Sequence, residues 1–465
     1  MTASEAGPFV KTGGLGDVLG TLPQALTELG ITVAVVIPRY RSIPLDGARM
    51  VYANLPVWFH AHQRLCDIWA KEHGGVTYYL IDCPEMFGRD RIYGYPDDHV
   101  RFAVLSLATL GVARHLFQPD VLHCHDWHTA LVPLYLKNFY PSDPTFSGVR
   151  SLFTIHNLYD HRVGFADLWR IGLDGRQWRP DLLEFYGSVS ILKAALVYAD
   201  QLSAVSPGYA REIQTPQYGW GYDGLLRARS NVLTGIVNGV DYKEWNPETD
   251  VHIATNYSAG NLDGKRDCKA ALLREFGFPV EEVLDRPLVG VVSRLVDQKG
   301  FQLVRDTFHE FASLDMTFIL LGSGDRQVFP DPYETVFWHL EQYHRDKFRA
   351  YIGFDAKLAH RIEAGADMFL MPSLYEPCGL NQIYSLRYGT LPVVRATGGL
   401  DDTIEAGTGF KFWGFTGHEM IGAIRYALGT FQDKPRWINM IQTAMGRDFS
   451  WEKSAEEYVA LYGRL

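Results

Sequence analysis

The sequence predicts an α/β protein built from two Rossmann-like halves. Three observations carry this. Short apolar runs without polar alternation, the signature of buried parallel strands, recur along the whole chain. Between them lie segments with apolar residues at helical spacing. The alternation then restarts after Trp245-Asn246-Pro247, which breaks regular structure and marks the expected boundary. With 465 residues, 47% of them hydrophobic, the chain is long enough for two or three domains with large cores. The expected division is 1–247, 248–447 and a terminal helix over 448–465. In such a pair of doubly wound sheets, ligands sit at strand carboxyl ends, in a cleft between the halves.

The first half opens on Lys11-Thr12-Gly13-Gly14-Leu15-Gly16-Asp17. Leu19, Leu22, Leu26 and Leu29 then keep helical spacing up to Gly30, so a Gly-rich loop feeds a helix N-terminus. Neither GxxxxGK[ST] nor GxGxxG is present, which excludes a Walker A loop and a dinucleotide fingerprint. The loop still has the parts of an anion site: free backbone N–H groups, a helix dipole and the point charge of Lys11. Residues 31–37 read as a buried strand, followed by strands at 57–59 and 76–81, a Tyr-rich loop over 87–98 and a helix over 102–117. Strand 120–123 ends at His125-Asp126-Trp127-His128. The HCHDWH spacing misses the HxHxDH pattern of dinuclear hydrolases, because Asp126 falls one place early, so no metal site is expected. Asp126 is expected to cap the next helix or to join a polar cluster lining the cleft. Strand 149–155 ends in His156-Asn157. A helix over 185–197, strand 200–205, loop 214–224 and a strand and turn over 236–241 complete this half.

The second half repeats the grammar. A helix over 265–276 precedes strand 287–292, which runs into Ser293-Arg294-Leu295-Val296-Asp297-Gln298-Lys299-Gly300. Strand 316–321 ends in Gly322-Ser323-Gly324-Asp325, and strand 348–352 ends near Phe354. After a helix over 360–366, the stretch 366–403 offers two neighbouring strand ends. Strand 368–371 leads to Glu376-Pro377-Cys378-Gly379 and a helix over 380–388 closed by Gly389. Strand 391–395 leads to Thr397-Gly398-Gly399, with Asp401 or Asp402 to cap the next helix. The tail, 450–465, is an amphipathic helix with Trp451, Ala455, Tyr458 and Tyr462 on one face.

Bulk chemistry narrows the partners. A net charge of −10 argues against a nucleic acid or an anionic membrane as the general partner, while leaving room for a small anion in a local basic pocket. The five scattered cysteines form no CxxC, so neither a disulfide framework nor a zinc site is expected, and a reducing compartment is. No signal peptide or membrane-spanning run is read. Arg294 and Lys299, a planar fork and a point charge in one strand-end loop, suit a diphosphate. Together with the Lys11 loop and Glu376, they predict transfer of a group away from a nucleoside diphosphate.

These motifs resemble a family. KTGGLGDV at 11–18, HDWH at 125–128, TIHNL at 154–158, VNGVD at 237–241, SRLVDQKG at 293–300 and the run YEPCGLNQIYSLRYGTLPVVRATGGLDDT at 375–403 are similar, in order, to bacterial glycogen synthase and plant starch synthase. The resemblance implies a GT-B glycosyltransferase fold whose terminal helix crosses back to the first domain. It implies retaining transfer of glucose from ADP-glucose to the non-reducing end of an α-1,4-glucan, without metal or other cofactor. UDP-glucose as donor and a catalytically weak glucan-binding scaffold are the alternatives. The compartment implied is the cytoplasm of a bacterium or the stroma of a plastid. No oligomeric state is implied.

By motif, Lys11 with the backbone of Gly13 and Gly14 should meet the distal phosphate and glucose. Arg294 and Lys299 should neutralise the leaving diphosphate. Glu376 should bind the transferring glucose, with backbone N–H groups of Cys378 and Gly379 and the neighbouring Leu380 and Asn381 in the donor site. His156 should hold a sugar hydroxyl and aim its carbonyl near the anomeric carbon. Asp126 and Asn238 should line the glucose site. Phe354 should stack on adenine, and Asp17 and Tyr93 should lie near sugar.

The chain departs from the family at several points. Tyr384 stands where many relatives of this fold carry a second glutamate. Tyr159-Asp160-His161-Arg162 replaces the usual AYQG, which bears on acceptor contacts. Asn381 replaces a Thr or Ser. The family normally has an apolar first, central strand ahead of Ser4-Glu5-Ala6; either that strand is missing from this sequence, or residues 1–6 supply a stub of it. Neighbouring backbone groups would then lack partners, and stability would be lower than with about seven more residues.

Overall fold

The computed structural model describes residues 1–60, 62–324 and 331–465, so Asp325 lies outside the described residues. The chain forms two units: residues 1–239 with the tail 451–465, and residues 240–450. The division thus falls at 239/240 and 450/451, where Val240 forms a bridge with Ser450 and its N–H bonds to the Phe449 carbonyl at 2.9 Å. The two crossing segments are tied together ahead of Trp245-Asn246-Pro247, which therefore lies inside the second unit.

In the N-terminal unit, β1 (Ala34–Pro38), β4 (Val76–Asp82), β3 (His62–His73) and β2 (Arg49–Phe59) lie in the order β1-β4-β3-β2. A second ladder runs β11-β10-β6-β5, from β5 (Val121–His125), β6 (Arg150–Ile155), β10 (Gln201–Ala204) and β11 (Leu233–Gly235). Residues 1–3 join the two. Thr2 bridges Cys124 on one side and Val36 on the other, both in parallel sense. Its N–H reaches the His123 carbonyl at 2.9 Å, and the Ala3 N–H reaches the Val36 carbonyl at 3.1 Å. The first residues therefore do occupy the central place and give β1 and β5 partners at this level.

Three local readings differ from expectation. The expected strand 57–59 is the end of the long hairpin β2–β3, whose outer residues alternate with solvent and so show no continuous apolar run. The expected helix 185–197 begins as a hairpin of β8 (Glu184–Phe185) and β9 (Ser188–Ser190), which also pairs with β7 (Arg162–Val163). Gly187 is left-handed at φ 80°, and helix Ile191–Tyr198 starts only where Ser190 Oγ accepts the Lys193 N–H at 3.0 Å. The expected strand at 236–241 is displaced to β11, just ahead of it.

The tail helix, Trp451–Tyr462, belongs to the N-terminal unit and packs on helix Gly14–Glu28. Trp451, Ala455, Tyr458 and Leu461 are buried, and Tyr462 Oη lies 2.8 Å from His123 Nδ1 on β5. The hydroxyl of Ser454 donates to the Val237 carbonyl at 2.8 Å.

The C-terminal unit has one parallel sheet in the order β14-β13-β12-β15-β16-β17. Its strands are β12 (Leu288–Arg294), β13 (Thr317–Ser323), β14 (Phe348–Ile352), β15 (Met368–Met371), β16 (Leu391–Arg395) and β17 (Phe410–Phe412). Counted within the unit this is 3-2-1-4-5-6, the doubly wound order, and its switch point lies between β12 and β15. One correction concerns residues 401 and 402. Helix Gly398–Thr403 starts at Thr397, so Asp401 lies within it and pairs with Lys411 at 2.7 Å rather than capping. No helix among the described residues is long and apolar enough to cross a membrane.

Candidate active site

In the N-terminal unit, the loop after residue 3 and the ends of β5 and β6 supply the chemistry, where a doubly wound sheet presents its ligand. The loop is set from beneath. The buried Glu5 carboxylate accepts from the backbone N–H of Thr12 and, at 2.8 Å, from its hydroxyl. Gly7 N–H reaches the Gly16 carbonyl at 2.9 Å, and a methyl on Gly16 would sit 3.0 Å from Lys11 Cβ. Gly16 is thus a packing glycine. Gly13 and Gly14 differ: a Cβ on either would meet nothing within 4 Å, and neither has a positive φ. No protein contact calls for them, and they leave the first amides of helix Gly14–Glu28 bare. Lys11 is exposed and pairs with Asp17.

Asp126, at the end of β5, holds a left-handed backbone at φ 57°. Strain of this kind costs about 1–3 kcal/mol and persists where the surroundings hold it. It turns the side chain away from the following turn, Trp127–Thr129, which it does not cap. The carboxylate instead accepts the His156 N–H at 2.8 Å, tying the ends of β5 and β6 together. Burial pushes the Asp126 carboxyl up to about 7. Burial also draws the His156 imidazole down to about 3, so the ring is neutral at working pH. Its Nε2 lies 3.0 Å from His125 Nδ1, which leaves Nδ1 for another partner. Tyr93 Oη lies 2.8 Å from Ser4 Oγ, and its ring rests on His128 with centroids 4.8 Å apart. Asn238 is buried, and its Oδ1 has no hydrogen-bond partner among the described residues. A buried carbonyl oxygen without a donor is costly and awaits one.

The raised carboxyl of Asp126 predicts a pH effect. A group whose folded pKa lies above its usual 3.8 favours the folded state while protonated. That contribution is complete below pH ~4 and is lost as pH rises to ~7, at about 1.4 kcal/mol per pH unit. Asp126→Asn keeps an acceptor for the His156 N–H and removes the titration. The buried His123, His125, His128 and His156, all drawn down by burial, change stability in the opposite sense in both proteins. The urea midpoint at pH 8 minus that at pH 5 should therefore be more positive in the variant than in the parent. Equal differences would refute the assignment.

In the C-terminal unit, two loops interlock at the switch point. Arg294 ends β12 and is exposed. The turn Asp297–Lys299 closes on Gly300, which is left-handed at φ 78°. A Cβ there would stand 1.8 Å from the Pro372 carbonyl oxygen at the end of β15. Leu374 N–H reaches the Gln298 carbonyl at 2.8 Å. This contact brings Lys299 Nζ to 2.6 Å from Glu376 Oε2, which also accepts from Ser373 Oγ at 3.0 Å. Glu376 is buried, and its own carbonyl accepts the Gly399 N–H at 3.0 Å. A Cβ on Gly399 would meet the Cys378 carbonyl oxygen at 2.1 Å, so the third strand-end loop also abuts the Glu376 loop.

Gly379, at φ 75°, turns the chain into helix Asn381–Arg387, with Leu380 at the cap position. Asn381 Nδ2 donates to the Val292 carbonyl at 2.6 Å, so the carboxamide braces β12 and leaves the Asn381 backbone N–H as the group that could serve a ligand. Phe354 follows β14 and is 89% exposed.

The expected residues therefore assemble as contacts in each unit: Lys11 with Asp17, Asp126 with His156, and Lys299 with Glu376. Two supporting residues escaped sequence reasoning, Glu5 beneath the Gly-rich loop and Ser373 beside Glu376, while His125, quoted within the HDWH motif, is found against His156. Only Ser373 carried a local signal, three positions before the glutamate in the same loop.

Comparison with known proteins extends these observations. The family model described as starch synthase catalytic domain matches residues 1–228, and the one described as glycosyl transferases group 1 matches residues 274–428. The chain is 46% identical to the glycogen synthase of Koribacter versatilis, across 99% of this chain and 97% of that one. It is 43% identical to the glycogen synthase of Bacillus cereus strain Q1, across 100% and 99%.

The chain belongs to the glycogen synthase and starch synthase family.

Like the family, it is a glucosyltransferase of GT-B fold. The catalytic domain of starch synthase IV from Arabidopsis thaliana, solved bound to ADP and acarbose, superposes with a TM-score of 0.88 at 34% identity, covering 100% of this chain and 98% of that one. Sucrose-phosphate synthase from Thermosynechococcus elongatus, at 16% identity and a TM-score of 0.60, shares the fold.

Proposed function

We propose that this glucosyltransferase moves glucose from ADP-glucose to the non-reducing end of an α-1,4-glucan, with retention at the anomeric carbon and release of ADP. The observation that carries this reading is the Lys299–Glu376 pair, held at 2.6 Å beside exposed Arg294 in a chain 46% identical to a glycogen synthase. Lysine and arginine at one strand end provide the positive charge a departing diphosphate needs. Glu376, bound by an ammonium and a hydroxyl, is a weak nucleophile and a good acceptor for sugar hydroxyls. Its role is to orient the transferring glucose. The backbone N–H groups of Cys378, Gly379, Leu380 and Asn381 belong to the donor site, and Phe354 offers a ring to the adenine.

In the N-terminal unit, Lys11 and the bare amides of Gly13 and Gly14 take the distal phosphate and glucose. His156 Nδ1 takes a sugar hydroxyl, Asp126 sets the His156 backbone, and the orphan Asn238 Oδ1 accepts from a glucose hydroxyl. Asp17 positions Lys11, and Tyr93 braces the loop. Substitution proceeds on the face of the leaving phosphate, which accepts the proton of the attacking glucan hydroxyl. The C4 hydroxyl oxygen bonds to the anomeric carbon as the bond to the diphosphate oxygen breaks. No divalent cation is required.

Gly13→Ala tests the loop assignment. No protein atom lies within 4 Å of the added methyl, so the melting temperature should stay within a degree. The donor KM should rise at least about tenfold, because the methyl stands where a phosphate must approach. An unchanged KM would remove the phosphate from this loop.

The activity itself is tested by incubating the protein with maltooligosaccharide and either ADP-glucose or UDP-glucose, following nucleoside diphosphate release and chain growth. Growth with ADP-glucose, undiminished by EDTA, is expected. Growth with UDP-glucose alone would reassign the donor. Absence of growth with both would leave a glucan-binding scaffold. Activity lost to EDTA and restored by magnesium would overturn the metal-free assignment.

A further inference from the structure

Two exposed aromatic residues in the N-terminal unit sit on backbone that aromatic side chains rarely adopt. Tyr186 has φ 48° and Trp220 has φ 51°, and each is followed by a left-handed glycine, Gly187 at 80° and Gly221 at 90°. Bulky residues in this region are outliers held at a cost. Asn, Asp or Gly would fit either turn with less strain. Both rings nevertheless face solvent, at 79% and 61% exposure, so burial does not repay the conformation. The two turns are neighbours. A Cβ on Gly221 would lie 3.1 Å from Tyr186 Cε2.

The support beneath them is rigid. Phe185 stacks on Tyr222 with centroids 4.1 Å apart and planes 8° from parallel. The guanidinium of Arg162 lies over the Phe185 ring at 4.5 Å. Tyr222 Oη donates to Asp160 and lies 2.8 Å from Ser190 Oγ. Arg162 Nε bonds to Asp160 at 3.1 Å. Asp160 and Arg162 lie on the segment that follows His156.

We propose that Tyr186 and Trp220 form an aromatic platform that holds the α-1,4-glucan acceptor by ring stacking, and that Asp160, Arg162, Phe185 and Tyr222 set its geometry. The proposal rests on the glucan synthase reading above. Aromatic rings with a polar tip, bordered by charged groups, match the alternation of apolar C–H faces and hydroxyl rims on a glucan. A net charge of −10 disfavours the other common ligand of exposed stacked rings, a single-stranded nucleic acid. The strained turns have a use in this reading: they present flat rings outward from a hairpin tip and a loop.

The variant Tyr186→Asn/Trp220→Asn tests this without endangering the fold, since asparagine suits both turns. Two readouts apply. Electrophoresis in gels containing glycogen reports binding without turnover. Steady-state kinetics report KM for glycogen and for ADP-glucose. The parent should be retarded by glycogen, and the double variant should lose most of that retardation while melting at the same or a higher temperature. Its glycogen KM should rise about tenfold with the ADP-glucose KM unchanged. Tyr186→Phe/Trp220→Phe, which keeps the rings, should behave as the parent. Equal retardation of parent and asparagine variant would overturn the platform, as would a parent that glycogen does not retard. A parent that is retarded yet elongates no glucan would refute the synthase reading while leaving the platform standing.

Discussion

Glu376→Gln should lower kcat by about a thousandfold, a loss of roughly 4 kcal/mol of transition-state stabilisation. The carboxamide is nearly the same size and can still accept from Ser373 Oγ, so folding should be little affected. What disappears is the charge that holds Lys299 at 2.6 Å. The ammonium then swings free of the position the strand-end loops give it, and the transferring sugar loses a charged acceptor for its hydroxyls. Because both effects bear on the charge-developing state, kcat should fall more than the donor KM rises. Lys299→Met should fall by a comparable factor, and the double variant should be far from the product of the two, since the pair acts as a unit. Parent-like turnover of Glu376→Gln would remove the residue from the reaction. A trapped covalent glucosyl adduct on Glu376 would make it a nucleophile instead.

Gly300→Ala should destabilise the C-terminal unit by about 3 kcal/mol, combining a left-handed alanine with a forced backbone shift. For a unit of this size that corresponds to about 10 °C in unfolding temperature. The cause is specific: the new methyl would stand 1.8 Å from the Pro372 carbonyl oxygen, a backbone atom that cannot rotate aside. Relief requires the 297–300 turn to move off the end of β15, which carries Lys299 away from Glu376. Calorimetry and turnover should therefore fall together. An alanine variant that melts within a degree of the parent would refute the close approach. The contrast with Gly13 is instructive. Both are motif glycines, but one is demanded by a neighbouring carbonyl and the other by nothing in the protein.

Much of the site was legible in the chain itself. Strands β14, β15 and β16 were read with their observed bounds; β15 and β16 are fully buried runs dominated by apolar residues, whereas β14 carries Arg349 and is buried only at Phe348. Gly389 was readable as a helix terminator and is left-handed at φ 66°. The hairpin β2–β3 was not legible, since a sheet edge half open to solvent carries no continuous apolar signal. Nor was the Tyr186-Gly187 turn, where a tyrosine occupies a place that local preference assigns to asparagine. Asp126 was legible as either a helix cap or a member of a polar cluster at the strand end, and it does not cap. Its left-handed backbone, set by the β5–β6 junction, points the carboxylate at the His156 N–H.

By itself, the sequence determined the alternation of strand and helix, the anion-holding residue types at the strand ends, and the family to which their order belongs. These depend on periodicity and on short contiguous motifs, which neighbouring residues encode. Tertiary structure alone decided which of those residues touch. Lys299 meets Glu376 because Gly300 lets the 297–300 turn lie against the end of β15, 72 positions further along the chain than the glycine. Asp126 carries a raised pKa because burial withdraws water from it, and no local sequence records burial. The N-terminal residues pair on both sides because β1 and β5 leave a gap of one strand between them. Contacts of this kind are set by packing across the sheet, where chain separation has no bearing on distance.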